Sequence, residues 1–489
     1  MTKNKSITGN YRSAYIHLQR PIFILALTGL GLSIIIGNIV AALAIIAFPL
    51  TMILLHYILE YPSTLTYVLL IVNYFILGIT RYIPIDGVSI LMDILLLSQL
   101  FLIYIHGCLK QNIEWKNVFN LLTLFGLLWA IYCILEIGNP TAMFKTWILS
   151  RGLTYYGLII PILIVLTITE YRQVRVIIFV LSIFILLASI KAFIQKFVGF
   201  DNVEWTWLMS GGARTHIIYS GIRYFSFFTD AGNFGSNMGF GAIVYALLTF
   251  SEKQKGLKIY YAIISMLAFY AMLLSGTRGA IAVPLAGLTL FTLICKNYKA
   301  IIIGGASLLL LYVFFAFTTI GQSDATIRRM RTAFEPTKDA SYNVRKENQQ
   351  RLAAYLKHKP FGEGLGLSGG ENKIHSNRFT TSIPNDSWYV KLWVETGIVG
   401  AILYVGGLFI VIGRCSWLLM FKVKNKQIRK TLTPLVCGVF GLLVSAYGNP
   451  FWGQFPTAIL AFTCLAIAIN APNYDRLYCT TNNNESELK

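Results

Sequence analysis

Apolar runs of about 17–25 residues follow one another along almost the whole chain, each long enough to cross a ~30 Å hydrocarbon core as a helix. The pattern predicts an all-α polytopic membrane protein with fourteen transmembrane helices. They lie near 22–37, 39–58, 64–80, 88–106, 117–136, 153–169, 176–198, 233–250, 259–274, 279–295, 300–318, 388–413, 432–447 and 455–470. Residues 21–59 are nearly unbroken and read equally as one long span with an interfacial piece, and twelve spans is the alternative count. Together the spans make one helical membrane domain, 1–470, with a short tail, 471–489, behind it. The stretch MTKNKSITGNYRSAYIHLQR is too polar and too long for the n-region of a signal peptide, and no small-residue cleavage site follows. The first span is therefore expected to be retained.

One interval breaks the pattern. Residues 319–387, between the spans near 300–318 and 388–413, are hydrophilic. Within them NQQRLAAYLKHKPFGEGLG alternates apolar and basic residues at helical spacing, so this insertion is expected to fold, partly as helix.

Charge orients the bundle. The net +20 would suggest nucleic acid as a partner in a soluble chain, but 56% hydrophobic and 13% charged residues exclude that class, and no nucleic-acid partner is expected. With the N-terminus in the cytoplasm, the inward loops HGCLKQNIEWK, EYRQVR, SEKQKGLK, CKNYK and RCSWLLMFKVKNKQIRK are all basic, as the positive-inside rule requires. Both termini are then cytoplasmic. The insertion, the segment 199–232 and the turn around Arg278 face outward. The insertion nonetheless carries eleven Lys or Arg, six of them Arg, against seven Asp or Glu. Cations gather on the side where topology gives no reason for them. The seven cysteines show neither metal-type spacing nor an outward position, so no disulfide framework is implied.

The outward arginines are the candidate chemistry. In AMLLSGTRGAIAVP, Arg278 stands between Gly276 and Gly279 in a tight turn joining two spans. It reads either as a headgroup anchor or, since flanking glycines leave a guanidinium unshielded, as a ligand group. Arg223, in GIRYFSFFTDAGNFG, lies on the same side. Asp230 beside it suits a helix N-cap better than a catalyst. Two guanidinium forks match a phosphate or diphosphate bidentately. The six histidines are scattered, no Asp-x-Asp motif occurs, and neither a metal nor a cofactor is expected; arginine must supply the positive charge. PFGEGLGLSGG follows no strand and reads as a backbone-exposing turn rather than a nucleotide loop. In PNDSWYVKLWVETGIVG, Asp386 or Ser387 is placed to cap a span. Glu395, two turns inside it, is either half of a Lys391–Glu395 pair or a site residue. Asp93, inside the span near 88–106, raises the same question. Trp205, Trp207, Trp388 and Trp393 suit either sugar stacking or interfacial anchoring.

GIRYFSFFTDAGNFG, LLSGTRGAIA, the KPFGEGLG run and PNDSWYVKLWVETGIVG, in that order and on one side, resemble the O-antigen ligase and polymerase superfamily of bacterial membrane glycosyltransferases over roughly 190–410. The resemblance implies a polyprenyl-pyrophosphate-linked glycan donor, a glycan or lipid acceptor, and metal-independent transfer at the outer face of the inner membrane. Polysaccharide assembly partners are possible companions. It makes Arg278 the main pyrophosphate ligand, with Arg223 second and Asp230 alongside, and puts Glu395 in the catalytic group. Many members carry a histidine nine residues before the Glu-x-Gly motif, where this chain has Asp386; Asp386 is either the base or only a cap. Arg351 and Gly362 are separated by ten residues, a spacing that resembles an arginine motif of some polymerases. The style of these segments is closer to a surface-polysaccharide polymerase than to a lipid A ligase, which is the alternative. A lipid-linked oligosaccharide flippase is a weaker rival, because the two halves show no internal repeat.

Overall fold

The computed structural model describes residues 60–83, 87–110, 113–218, 221–296, 298–323, 325–331, 334 and 340–487, with 28, 45 and 57 singly. The expected spans 22–37 and 39–58 lie almost wholly outside the described residues. The chain divides into two units, 1–65 with 102–111, and 66–101 with 112–489. In the first, Lys110 pairs with Glu60 at 2.6 Å.

The principal helices are α1 (Ser63–Tyr82), α2 (Val88–Lys110), α3 (Leu121–Leu135), α4 (Arg151–Thr167), α5 (Tyr171–Phe197), α6 (Ala231–Ser251), α7 (Lys255–Leu274), α8 (Ala282–Ile294) and α9 (Tyr298–Phe317). Then come α10 (Ala325–Arg331) and α11 (Ala340–Leu356), followed by α12 (Trp388–Trp417), α13 (Lys426–Ser445), α14 (Thr457–Ile469) and α15 (Ala471–Glu487). Strand is confined, among the described residues, to a two-residue pairing of Ile217–Ile218 with Gly221–Ile222. Nine helices among the described residues are long and apolar enough to cross a membrane, ten if the pair bent by 47° at Asn470 is one span. Arg278–Ile294 and Ile301–Phe317 are shorter apolar helices, at the positions of the expected spans 279–295 and 300–318. The protein is a multi-pass membrane protein.

α6 is the centre of the bundle, packing on α7, α8 and α13. Its sequence, AGNFGSNMGFGAIVYALLTFS, is poor in bulk at its start, and small residues let membrane helices approach closely. A methyl group at Gly235 would lie 2.2 Å from Ser275 Oγ, and one at Gly441 of α13 would lie 2.3 Å from the Val283 carbonyl oxygen of α8. The turn after α7 is thereby pressed onto the start of α6. Asp93 is neutralised where it sits: Arg151 reaches it at 2.5 Å, and the hydroxyls of Tyr155 and Tyr156 donate to it. A buried carboxylate with that many partners is a structural ion pair.

The insertion folds against α12. Leu352 and Leu356 of α11 pack with Ile383 and Val394, flanked by Tyr355, Val390 and Trp393. α12 is broken at Gly397, whose φ of 65° and ψ of −174° only glycine adopts readily. Into the break fits the turn Pro360–Gly364. Val399 N–H donates to the Pro360 carbonyl (3.3 Å), Glu363 N–H to Val394 (2.9 Å) and Gly364 N–H to Glu395 (3.0 Å). The glycine-rich run thus satisfies backbone groups that the break would leave unpaired.

Candidate functional site

The site grows from the turn that ends α7. Gly276 has φ +57°, and a side chain there would press on Arg223 Cγ at 3.3 Å. This glycine lets two arginines pack over the turn. Thr277 fixes the first: its hydroxyl donates to the Ala231 carbonyl (2.9 Å) and accepts from Arg223 Nη2 (2.9 Å). Arg223 Nη1 donates to the Thr215 carbonyl at 3.0 Å, and its Nε, buried, has no hydrogen-bond partner. Arg329, on α10, donates Nε–H to the Gly276 carbonyl at 2.6 Å. Arg331 secures α10 itself, with Nη2 on the Ile320 carbonyl (2.6 Å) and its guanidinium over Phe314. On the other flank, Ser445 hydroxyl donates to the Gly279 carbonyl at 2.8 Å, seating the Arg278 turn on the end of α13, where the loop after that helix begins. Arg345, on α11, donates Nη1–H to the carbonyl of Gly448 in that loop (3.3 Å).

Arg223, Arg278, Arg329 and Arg345 therefore converge. Burial lowers the basicity of Arg329, and the charges of Arg223, Arg278 and Arg345 lower it further, to about 10. Burial also lowers Arg223, against the pull of Asp230 and with the push of Arg345. Like charges brought together out of water are unfavourable by themselves, and an anion is the natural relief. Among the described residues, Asp230 acts on this cluster through its field on Arg223, and Asp386 through its pairing with Arg345.

The individual expectations fare differently in geometry. Arg278 and Arg223 are brought together. Asp230 caps α6, its Oδ1 accepting from the N–H groups of Gly232 (2.7 Å) and Asn233 (2.9 Å), while its charge bears on Arg223. Asp386 stands 3.7 Å from Arg345 Nε, which brings it to the edge of the cluster. Arg351 is not brought in; it is exposed, with its guanidinium 5.9 Å from the ring centre of Phe379. Glu395 is buried in the two turns of α12 ahead of the break, and its carboxylate accepts from Ser368 Oγ at 2.5 Å. It is held under the insertion as a clasp. Trp207 is taken up by Arg81, whose guanidinium sits 4.5 Å from both Trp207 and Phe225, and Trp388 is buried; Trp205 remains 40% exposed. Arg329 and Arg345 were not singled out by sequence, where they are two of the six arginines of the insertion. The one signal for them was the outward excess of cations.

The fold and the site define a multi-pass helical membrane protein that gathers arginines at a tight interhelical turn, under a folded polar insertion. Residues 263–405 are similar to the O-Antigen ligase family, from within α7, through Arg278, α10 and α11, to the upper part of α12. The resemblance to the O-antigen ligase and polymerase superfamily read from the motifs holds over this region, while Arg223, Asp230 and the loop after α13 lie outside it. No curated protein matches the chain.

Proposed function

We propose that the protein is a glycosyltransferase that moves polyprenyl-diphosphate-linked oligosaccharide to an acceptor at the outer face of a bacterial inner membrane, acting as a surface-polysaccharide polymerase. The observation that carries the reading is the convergence of Arg223, Arg278, Arg329 and Arg345 at one turn. The family similarity of residues 263–405 agrees with action on lipid-linked glycans. Four fixed guanidinium groups suit a diphosphate, which leaves with added charge as the glycosidic bond to it breaks. Fixed charge aimed at a developing anion in a water-poor site is often the largest catalytic contribution. In this reading arginine does without metal what a divalent cation does elsewhere. Arg278 and Arg223 grip the diphosphate, and Arg329 and Arg345 close over it from the insertion. Asp386 takes the proton of the attacking hydroxyl, and Glu395 positions the insertion rather than touching substrate. The positive-inside pattern of the loops supports an outward site with both termini in the cytoplasm.

The test is the glycan profile of cells lacking the protein, run beside their polyprenyl-linked intermediates. Single repeat units at the surface without long chains identify a polymerase. Long chains held on the carrier, absent from the final acceptor, identify a ligase. An unchanged profile with normal intermediates overturns the glycosyltransferase reading.

A further inference from the structure

Ser387 occupies the N-cap position of α12 but makes no capping bond. A serine there ordinarily accepts from the N–H two or three residues on. This one is 3% exposed and its hydroxyl has no hydrogen-bond partner. It faces a water-sized hollow that Arg345, Asn348 and Gln349 of α11 share with Pro384 and Asp386 ahead of α12. Arg345 Nε is likewise buried without a hydrogen bond, because its distance to Asp386 Oδ2, 3.7 Å, is too long for one. A buried hydroxyl and a buried guanidinium N–H, unsatisfied beside a carboxylate in a space of that size, are the lining expected around one polar group.

We propose that this hollow is the acceptor subsite, holding one hydroxyl of a saccharide between Asp386, Ser387 and Arg345, with Asn348 and Gln349 binding neighbouring hydroxyls. This rests on the glycosyltransferase reading and deepens it. Amide, carboxylate and guanidinium groups beside the ring of Pro384 suit a sugar, with its many hydroxyls and small apolar face. A lipid alcohol would leave those amides unpaired. Arg345 ties the subsite to the anion cluster, since its charge acts on both Arg223 and Arg329. In the step, the bound hydroxyl oxygen attacks the anomeric carbon of the donor and the bond from that carbon to the diphosphate oxygen breaks. The electron pair leaves with the polyprenyl diphosphate, and the hydroxyl proton passes to Asp386.

Two measurements on the full chain test this. The first is the shift in thermal midpoint that inorganic pyrophosphate gives the detergent-solubilised protein. The second is recovery of transferred glycan when a deletion strain is complemented. Ser387→Ala and the double variant Asn348→Ala/Gln349→Ala should keep the pyrophosphate shift. Transfer should fall about tenfold for each hydrogen bond lost. Ser387→Thr, which keeps the hydroxyl, should recover most of the transfer. Wild-type transfer by both alanine variants overturns the subsite, and so does loss of the pyrophosphate shift together with transfer, which would place these residues in the anion site or the fold. Absence of any pyrophosphate shift in the wild-type protein would instead overturn the anion-site reading on which the subsite depends.

Discussion

Arg329 reaches out of the insertion to the turn that ends α7 and donates its Nε–H to the Gly276 carbonyl at 2.6 Å. A residue remote in the chain thereby becomes a neighbour of Arg278, and the insertion becomes a wall of the site. The bond seats the Arg329 side chain beside three other cations.

That position carries a pH signature. Arg329 has its folded pKa lowered to about 10, well below its ordinary value in the unfolded chain. Below 10 both states hold the proton and the group gives stability no slope. Above 10 the unfolded state binds more protons than the folded one, so the unliganded protein gains stability as pH rises. A bound anion prefers the protonated form. Stabilisation by sulfate, followed by thermal melting, should be flat from neutral pH upward and decline as pH passes 10. Arg329→Ala should lack that decline; an identical decline in the variant would remove Arg329 from the anion site.

Arg278→Ala should lower glycan transfer by about 100- to 1,000-fold, the usual loss of one charge-stabilising group, with unchanged membrane insertion. Arg278→Lys should restore little, because an ammonium lacks the bidentate fork. Transfer assays normalised to protein level in the membrane decide it. Wild-type transfer by Arg278→Ala would make the residue a headgroup anchor.

Arg345 and Arg351 lie six positions apart on one helix, yet only Arg345 faces the cluster. Arg345→Ala should cost about tenfold or more in transfer, the scale of a charge-assisted contact, while Arg351→Ala should stay close to wild type. The reverse ranking would show that the chain spacing of Arg351 and Gly362, not the geometry, marks the site.

Gly397→Ala should undock the insertion. A methyl group there would lie 1.9 Å from the Pro360 carbonyl oxygen, on a backbone conformation that costs a non-glycine residue about 1–3 kcal/mol. The expected result is faster proteolysis within 319–387 and loss of the sulfate-induced stabilisation. Normal protease resistance would mean that the break in α12 is not what holds the insertion.

How much of this was legible beforehand differs by element. The helices α1 to α9 and α12 to α14 stand where the apolar runs put them, because burial of a helix in lipid is decided by local composition. The turn at Thr277-Arg278-Gly279 was legible too, as a permanent charge between glycines has few uses inside a hydrophobic pattern. Asp230 as a cap follows from a rule that spans three residues, and the structure gives it that bond. Glu395 was open between partner and site residue. The break at Gly397 turns its stretch of α12 away from a continuous span, and the carboxylate binds Ser368.

Arg329 and Arg345 were not legible. They sit among many cations in a polar insertion whose sequence has no membrane period to fix a face, and Arg351, chosen by spacing, lies over Phe379 instead. The sequence by itself determined the positions and kind of the apolar helices in the described region and the charge at the α7 turn, since both depend on residues next to one another. Only the tertiary structure decided which arginines meet there. Their meeting depends on Gly276 leaving room above the turn and on the Pro360–Gly364 turn entering the break at Gly397, contacts between residues far apart in the chain.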